Sequence, residues 1–196
     1  EMQRDPRVFC IGEDIGIPGG FGGAFTVTLK LSEEFGRERV LDTPISEAAI
    51  AGVAIGAAMA GMRPIADVQY GDFLFCMMDQ LANQAAKMRY MSGGQVSVPL
   101  VMRAPVGTTG RGAQHAQSLE AFFTHIPGLK VVAPATAYDA KGLLKSAVRD
   151  ENPVIIFEHK LLYGSKGARA EKGGLSPVGE VPDAEYLVPI GKGTIR

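Results

Sequence analysis

Residues Leu41–Gly61 read LDTPISEAAIAGVAIGAAMAG, and the organisation of the chain turns on them. Pro44 and Ser46 are helix-start residues: proline has no N–H to lose and a preset φ, and serine is a favoured N-cap. Glu47 follows, and after it come fourteen uncharged residues, ten of them alanine or glycine. This pattern predicts a helix running to Gly61. Gly52 and Gly56 fall on one face, so another backbone could approach closely, as in a crowded core or a subunit contact. Glu47 then has two readings. An acid in the first turn suits the positive end of the helix dipole. A carboxylate beside a tight apolar contact is also partly desolvated, which makes it a proton-transfer candidate. The local residues leave both open.

Before this helix, Val8–Gly12 (VFCIG) reads as a buried strand. A glycine-rich loop, GIPGGFGGAF, follows, then a short helix over Thr26–Phe35 stopped by Gly36. After it, Arg63–Tyr70 (RPIADVQY) reads as a strand. Asp72–Met91 reads as a long helix with Phe73, Met77, Leu81, Ala85 and Met88 on one face, ended by Gly93-Gly94. Val98–Pro105 is a third strand, Val106–Ser118 a loop and Leu119–His125 a short helix. Leu129–Ala135 is a strand, Tyr138–Arg149 a helix and Pro153–His159 a last strand. Continuously apolar strands alternating with helices predict an α/β fold, a parallel sheet with helices on both faces. Gly164–Pro182 is rich in glycine, proline and lysine and reads as a mobile loop, so residues 1–196 read as one domain with that loop near its end.

The 196 residues carry a net charge of −1, which gives no electrostatic footprint for nucleic acid or a membrane surface. No apolar run approaches the ~20 residues that span a bilayer. Cys10 and Cys76 form no CxxC pair, so neither a disulfide framework nor a zinc site is expected. The same cysteine usage makes a reducing compartment the default; the opening EMQRDPRVFC shows no signal or transit pattern, and its abrupt entry into an apolar run reads as the start of a fragment. His115 sits in a glycine-rich loop after a strand, where α/β proteins build their sites, although a surface or capping histidine is equally compatible. His125 and His159 read as structural, and no two histidines have metal-ligand spacing. The glycine clusters match neither GxGxxG nor a phosphate loop, and Ser46 and Ser118 lack a nucleophile elbow.

Several blocks in order carry a resemblance: GEDIG, LDTPISEAAIAG, AAMAGMRPI, DQLANQAAKMRYMSGGQ, QHAQSLEAFFTHIPGLKVVAPATAYDAKGLLKSAVRD and NPVIIFEHKLLYG. The chain resembles the beta subunit of the thiamine-dependent decarboxylating component of 2-oxoacid dehydrogenase complexes, over about Val8–Gly164 and again at YLVPIGKGTIR. The resemblance implies the pyrimidine-binding domain of the transketolase-like fold. It implies thiamine diphosphate shared with an alpha subunit in an alpha2beta2 heterotetramer, with Mg²⁺ on the alpha subunit. It also implies a lipoyl acyltransferase core as acceptor and a 2-oxoacid (pyruvate or a branched-chain acid) or acetoin as substrate. Location follows as the cytoplasm of a bacterium or the mitochondrial matrix of a eukaryote. By the same resemblance Glu47, the glutamate of TPISE, hydrogen-bonds N1′ of the aminopyrimidine. Phe73 stacks on that ring, Gln69 lies near the cofactor and substrate, and His115 assists acyl transfer to the lipoyl arm. Backbone carbonyls of Leu100, Ala147, Val148, Asp150 and Asn152 match positions that hold a structural potassium ion in some members. The loop Gly16–Ala24 and the stretch Gly164–Asp183 are longer than the family pattern, and its C-terminal domain has no counterpart. A non-catalytic interaction subunit is the alternative from another class.

Overall fold

The computed structural model describes residues 1–108, 110, 112–163 and 179–193. The loop expected at 164–182 falls mostly outside the described residues. Six strands form one parallel sheet: β1 (Val8–Glu13), β2 (Val40–Thr43), β3 (Arg63–Asp67), β4 (Val101–Val106), β5 (Lys130–Val132) and β6 (Val154–His159). Their order across the sheet is β2-β1-β3-β4-β6-β5. The register runs through Cys10↔Val40, Cys10↔Ile65, Ile65↔Val101 and Val101↔Val154, with Lys130↔Val154 at the far edge.

Parallel neighbours need crossovers, and helical segments supply them: α1 (Leu31–Phe35), α2 (Glu47–Met59), α3 (Ala86–Met91), α4 (Glu120–Thr124) and α5 (Ala137–Arg149). Because strand side chains alternate, each strand feeds both faces. Phe9, Ile11, Ala66, Met102, Ile155 and Phe157 pack on one face against α2, which buries Ile50, Ala51, Ala54, Ile55 and Ala58. Val8, Cys10, Val101, Val154 and Ile156 form the second core, covered by Leu31 and Phe35 of α1 and by Leu144, Ala147 and Val148 of α5. The expected sheet with helices on both faces is thus the observed one.

Three local differences have physical causes. β2 adds an edge strand that sequence reading passed over, because VLDT is short and ends at Pro44. The helix expected over Thr26–Phe35 shrinks to α1, because Thr26 and Lys30 adopt φ of 60° and 71°, which break a right-handed helix. The helix expected over Asp72–Met91 is continuous in path but changes pitch, from a 3₁₀ segment Gly71–Met77 through a π-helical segment Asp79–Ala85 to α3. Its tight entry is forced at Gly71, where a Cβ would stand 2.6 Å from Val106 Cγ1 and 3.1 Å from the Pro105 carbonyl.

β1 lies between β2 and β3, so the chain leaves β1 in one direction and returns across it in the other. In open parallel sheets the crevice outside the carboxyl ends at such a reversal is where ligands bind.

Candidate functional site

Glu47, Phe73 and His115 each follow the carboxyl end of a parallel strand, β2, β3 and β4 respectively, so the topology brings them to one edge of the sheet. Glu47 is the first residue of α2 and is half-buried. The 3₁₀ segment carrying Phe73 packs against α2. Glu47 is one of three acidic residues whose charge acts on Glu13. The Glu13 carboxyl is held above its ordinary value by burial first, and then by the negative charges of Asp14, Glu47 and Asp42. Among the described residues no salt bridge reaches any of these four.

An aromatic cluster stands on the same edge. Tyr70 is its hub, with ring centroids 5.5 Å from Phe25, 6.0 Å from Phe73 and 4.6 Å from His115. The His115 imidazole also stands edge-on to Phe73 at 5.4 Å and 82°. Phe25 extends the cluster to Tyr163, 5.1 Å away. Sequence reading placed Phe73 and His115 separately; the structure brings them into contact.

The His115 loop is tethered at several points. Gln117 donates from its backbone N and its Nε2 to Asp72 Oδ1, at 3.3 and 2.8 Å, and the Gly107 N–H donates to the Gln117 carbonyl at 3.0 Å. Gly107 has φ +86° and lies flat on His159, where a Cβ would come within 2.4 Å of Nε2. His159 Nδ1 also accepts from the Leu161 N–H. Among the described residues Asp72 Oδ2 has no hydrogen-bond partner although it is buried, the kind of polar atom that asks for an explanation.

Gln69 reaches the same edge but its amide is engaged. Its Oε1 accepts from the Ala24 N–H at 2.7 Å, and its Nε2 donates to the Glu13 carbonyl. It therefore latches the glycine loop to the end of β1. The five carbonyl positions lie elsewhere, at the amino-terminal side of the sheet. The carbonyls of Val148 and Asp150 converge on Arg63 Nη1, at 2.8 and 3.2 Å. The Leu100 carbonyl accepts from Val154 N at 2.8 Å and the Ala147 carbonyl from Asp150 N at 3.2 Å. Asn152 is oriented by Asp150, which accepts from its N and Nδ2 at 2.9 and 2.8 Å.

A second charged group went unnoticed in the sequence. Arg103 is buried on the α5 face and donates to Asp67 and, through two nitrogens, to Glu158, which also accepts from the Tyr163 hydroxyl. Burial pulls the Arg103 guanidinium down, but Asp67 and Glu158 outweigh it and hold it above its ordinary range. Burial raises Asp67 against the opposing pull of Arg103. Burial also raises the Tyr163 phenol, assisted by Glu158. The charges Asp67 in RPIAD, Arg103 in VMRAP and Glu158 in VIIFEH, each within a largely apolar strand, were the available signal. This network borders a cavity of about 640 Å³ walled by Cys10, Ile65 and Leu144. The cavity shares Tyr163 with the aromatic cluster.

The outer face of α2 is open. Gly52 and Gly56 have no atom within 4 Å of where a Cβ would stand, and Val53 and Met59 are 53% and 42% exposed. Close approach along this stripe therefore comes from no part of the described chain.

Residues 1–166 match the family model described as transketolase, pyrimidine binding domain. The chain is 53% identical over its whole length to the 2-oxoisovalerate dehydrogenase subunit beta of Bacillus subtilis (strain 168), covering 56% of that protein. It is 50% identical over its whole length to the acetoin:2,6-dichlorophenolindophenol oxidoreductase subunit beta of Cupriavidus necator, covering 56% of it. It is 49% identical, over 98% of its length, to the pyruvate dehydrogenase E1 component subunit beta of Gracilaria tenuistipitata var. liui, covering 55% of that subunit. The chain thus spans about half the length of these curated relatives. Among solved structures, a split gene transketolase, in an inactive beta4 tetramer, matches with a TM-score of 0.67 at 21% identity, over 99% of this chain and 53% of that one, which shows the fold alone.

Proposed function

The chain belongs to the transketolase pyrimidine-binding domain family, and from that premise we propose that it is the pyrimidine-side part of a thiamine diphosphate-dependent 2-oxoacid dehydrogenase, a beta subunit that works only with an alpha subunit. The observation that carries this reading is the meeting of Glu47, Phe73 and His115 at one carboxyl edge, beside the strand-order reversal. We assign the whole of 1–196 to this domain and its trailing segment.

The residues fit the cofactor's pyrimidine half. Glu47 is half-buried at the start of α2, where its carboxylate can hydrogen-bond a ring nitrogen. Phe73 is half-buried and offers a ring for stacking. Thiamine diphosphate, when bound, supplies the electron sink for loss of CO₂ from a 2-oxoacid. Glu47 holds the proton at the pyrimidine nitrogen and so sets the basicity of the ring. Gln69 fixes the glycine loop over the crevice, and Phe25 and Tyr70 keep water from it. His115 is the group placed to hold or give a proton during acyl transfer to a lipoyl arm of the acyltransferase core. The sequence holds no GDG…N pattern for Mg²⁺ and diphosphate, so we assign those contacts to the alpha subunit, in an alpha2beta2 assembly. The open stripe of α2 is the surface we assign to subunit contact. That same stripe is the one feature favouring the second reading, a non-catalytic interaction subunit.

The substrate class spans pyruvate, branched-chain 2-oxoacids and acetoin, since relatives named for each match at similar identity. Bacterial and mitochondrial relatives fit the cytoplasm or the mitochondrial matrix, which cell fractionation would check. The carbonyls of Leu100, Ala147, Val148, Asp150 and Asn152 are carried as a potassium site. Neutral oxygens suit a hard monovalent cation, but the Val148 and Asp150 carbonyls face the Arg63 guanidinium, so a cation there must displace that contact. A saturable rise in Tm with K⁺ but not with Na⁺ at equal ionic strength is expected; identical melting in both salts removes the site.

The main test is Glu47→Gln in the enzyme assembled with a cognate alpha subunit. Folding stays intact, and C2–H exchange of the bound cofactor falls about 10²–10⁴-fold. The chain without its alpha subunit shows no exchange. Undiminished exchange in a folded, cofactor-saturated Glu47→Gln enzyme removes Glu47 from the mechanism, and absence of exchange in the assembled wild type favours the non-catalytic interaction subunit.

A further inference from the structure

We propose that Lys160 is the positioning residue for His115, holding the loop from beneath with a buried charge; this rests on the role given to His115 above. Lys160 opens the 3₁₀ turn that follows β6 and is 3% exposed. Its Nζ donates to the backbone carbonyl of His115. It also stands 5.0 Å from the centroid of the Tyr70 ring, the same ring against which the His115 imidazole packs. One aminium group thus grips both the backbone of the histidine and the aromatic surface its side chain leans on.

The other tethers of the loop lie on either side of the histidine, at Gly107 and at Gln117. Among the described residues, Lys160 supplies the hydrogen bond from another element to the backbone of His115 itself. A neutral donor could make the same bond, but a charged one differs in what happens when the bond breaks. A neutral hydrogen bond is worth about 1 kcal/mol net, and a charge-assisted one roughly twice that. If His115 swings away, a buried aminium also loses an acceptor, which is costly in the interior. The loop is therefore restricted to backbone positions that keep the imidazole edge-on to Tyr70 and Phe73. Lys160 touches neither substrate nor cofactor in this scheme; it sets where the imidazole stands relative to the ring that Phe73 supports.

The test uses the full chain, with and without its cognate alpha subunit. In the folded chain the ring currents of Tyr70 and Phe73 displace the His115 Cε1–H resonance. Lys160→Met should return it towards the value of an exposed histidine, and Lys160→Arg should retain most of the displacement. In the assembled enzyme, Lys160→Met should lower transfer to a lipoyl domain by about 10²-fold, the usual scale of a misplacement near 1 Å. Decarboxylation with an artificial oxidant should fall much less. An unmoved His115 resonance in folded Lys160→Met overturns the proposal. So does full lipoyl transfer in that variant while His115→Ala has lost it, and in that case the role of His115 stands. If His115→Ala keeps full transfer, the role of His115 falls, and the resonance alone decides on Lys160. Should Lys160→Met fail to fold, the wild-type chain still decides: its Lys160 Nζ protons should exchange slowly with water, and rapid exchange overturns the proposal.

Discussion

Two charged groups sit on one sheet and are built in opposite ways. On the α5 face, Arg103 stands between Asp67 and Glu158, all three largely buried and each bonded. At the carboxyl edge, Glu13, Asp14, Asp42 and Glu47 lie near one another at half exposure, with no cation paired to them among the described residues. The first group is neutralised as far as one guanidinium allows and ties three strands together. The second carries a repulsion that folding brings about. Charges kept apart from any partner at the mouth of a crevice are a place for a ligand to bring the missing positive or hydrogen-bearing group. Charges closed on themselves inside a sheet are structural.

The comparison can be broken first at Arg103. Arg103→Ala leaves two buried carboxylates uncompensated and should cost roughly 3–5 kcal/mol in a urea unfolding curve. A loss below about 1 kcal/mol would mean that water already reaches Asp67 and Glu158, and the contrast between the groups would collapse. A smaller effect sharpens the other side. The folded state holds the Glu13 proton more tightly than the unfolded chain does, because its pKa is raised from the ordinary 4.5. The chain therefore binds more protons folded than unfolded in the window just above pH 4.5, so this contribution to stability is present below that value and is lost as pH rises through the raised pKa. Glu13→Gln should thus be slightly stabilising at pH 7. Solvent screening of so open a group keeps the gain under about 0.5 kcal/mol, and added salt shrinks it further. Destabilisation at pH 7 would show that the four carboxylates do not repel.

Much of this was legible in the sequence, and the exceptions share a cause. The inner strands and α2 declared themselves because apolar runs and small-residue periodicity are local signals. Glu47, Phe73 and His115 were proposed from motif blocks, which also follow one another along the chain. What stayed hidden depends on residues far apart. The Arg103 network joins three strands, and no one of them shows why it carries a charge. Lys160 sits in a stretch, EHKLLYG, that reads as the end of a strand, and only the fold brings it under His115. The changes of pitch between Gly71 and Met91 were invisible for the same reason, since the tight entry answers to Pro105 and Val106 on a neighbouring strand.

The edges of the sheet carry a consequence for how the molecule meets its own kind. β2 and β5 are its shortest strands, four and three residues against six in β1, β4 and β6. Pro44 stops the first immediately, and Pro134 stands two residues beyond the second. A ribbon of another chain laid along either margin would find few free backbone groups, and then a ring with no hydrogen to give. Runaway strand-to-strand stacking is closed off at both margins, which leaves association to the helical faces, where contacts are finite and can be chosen.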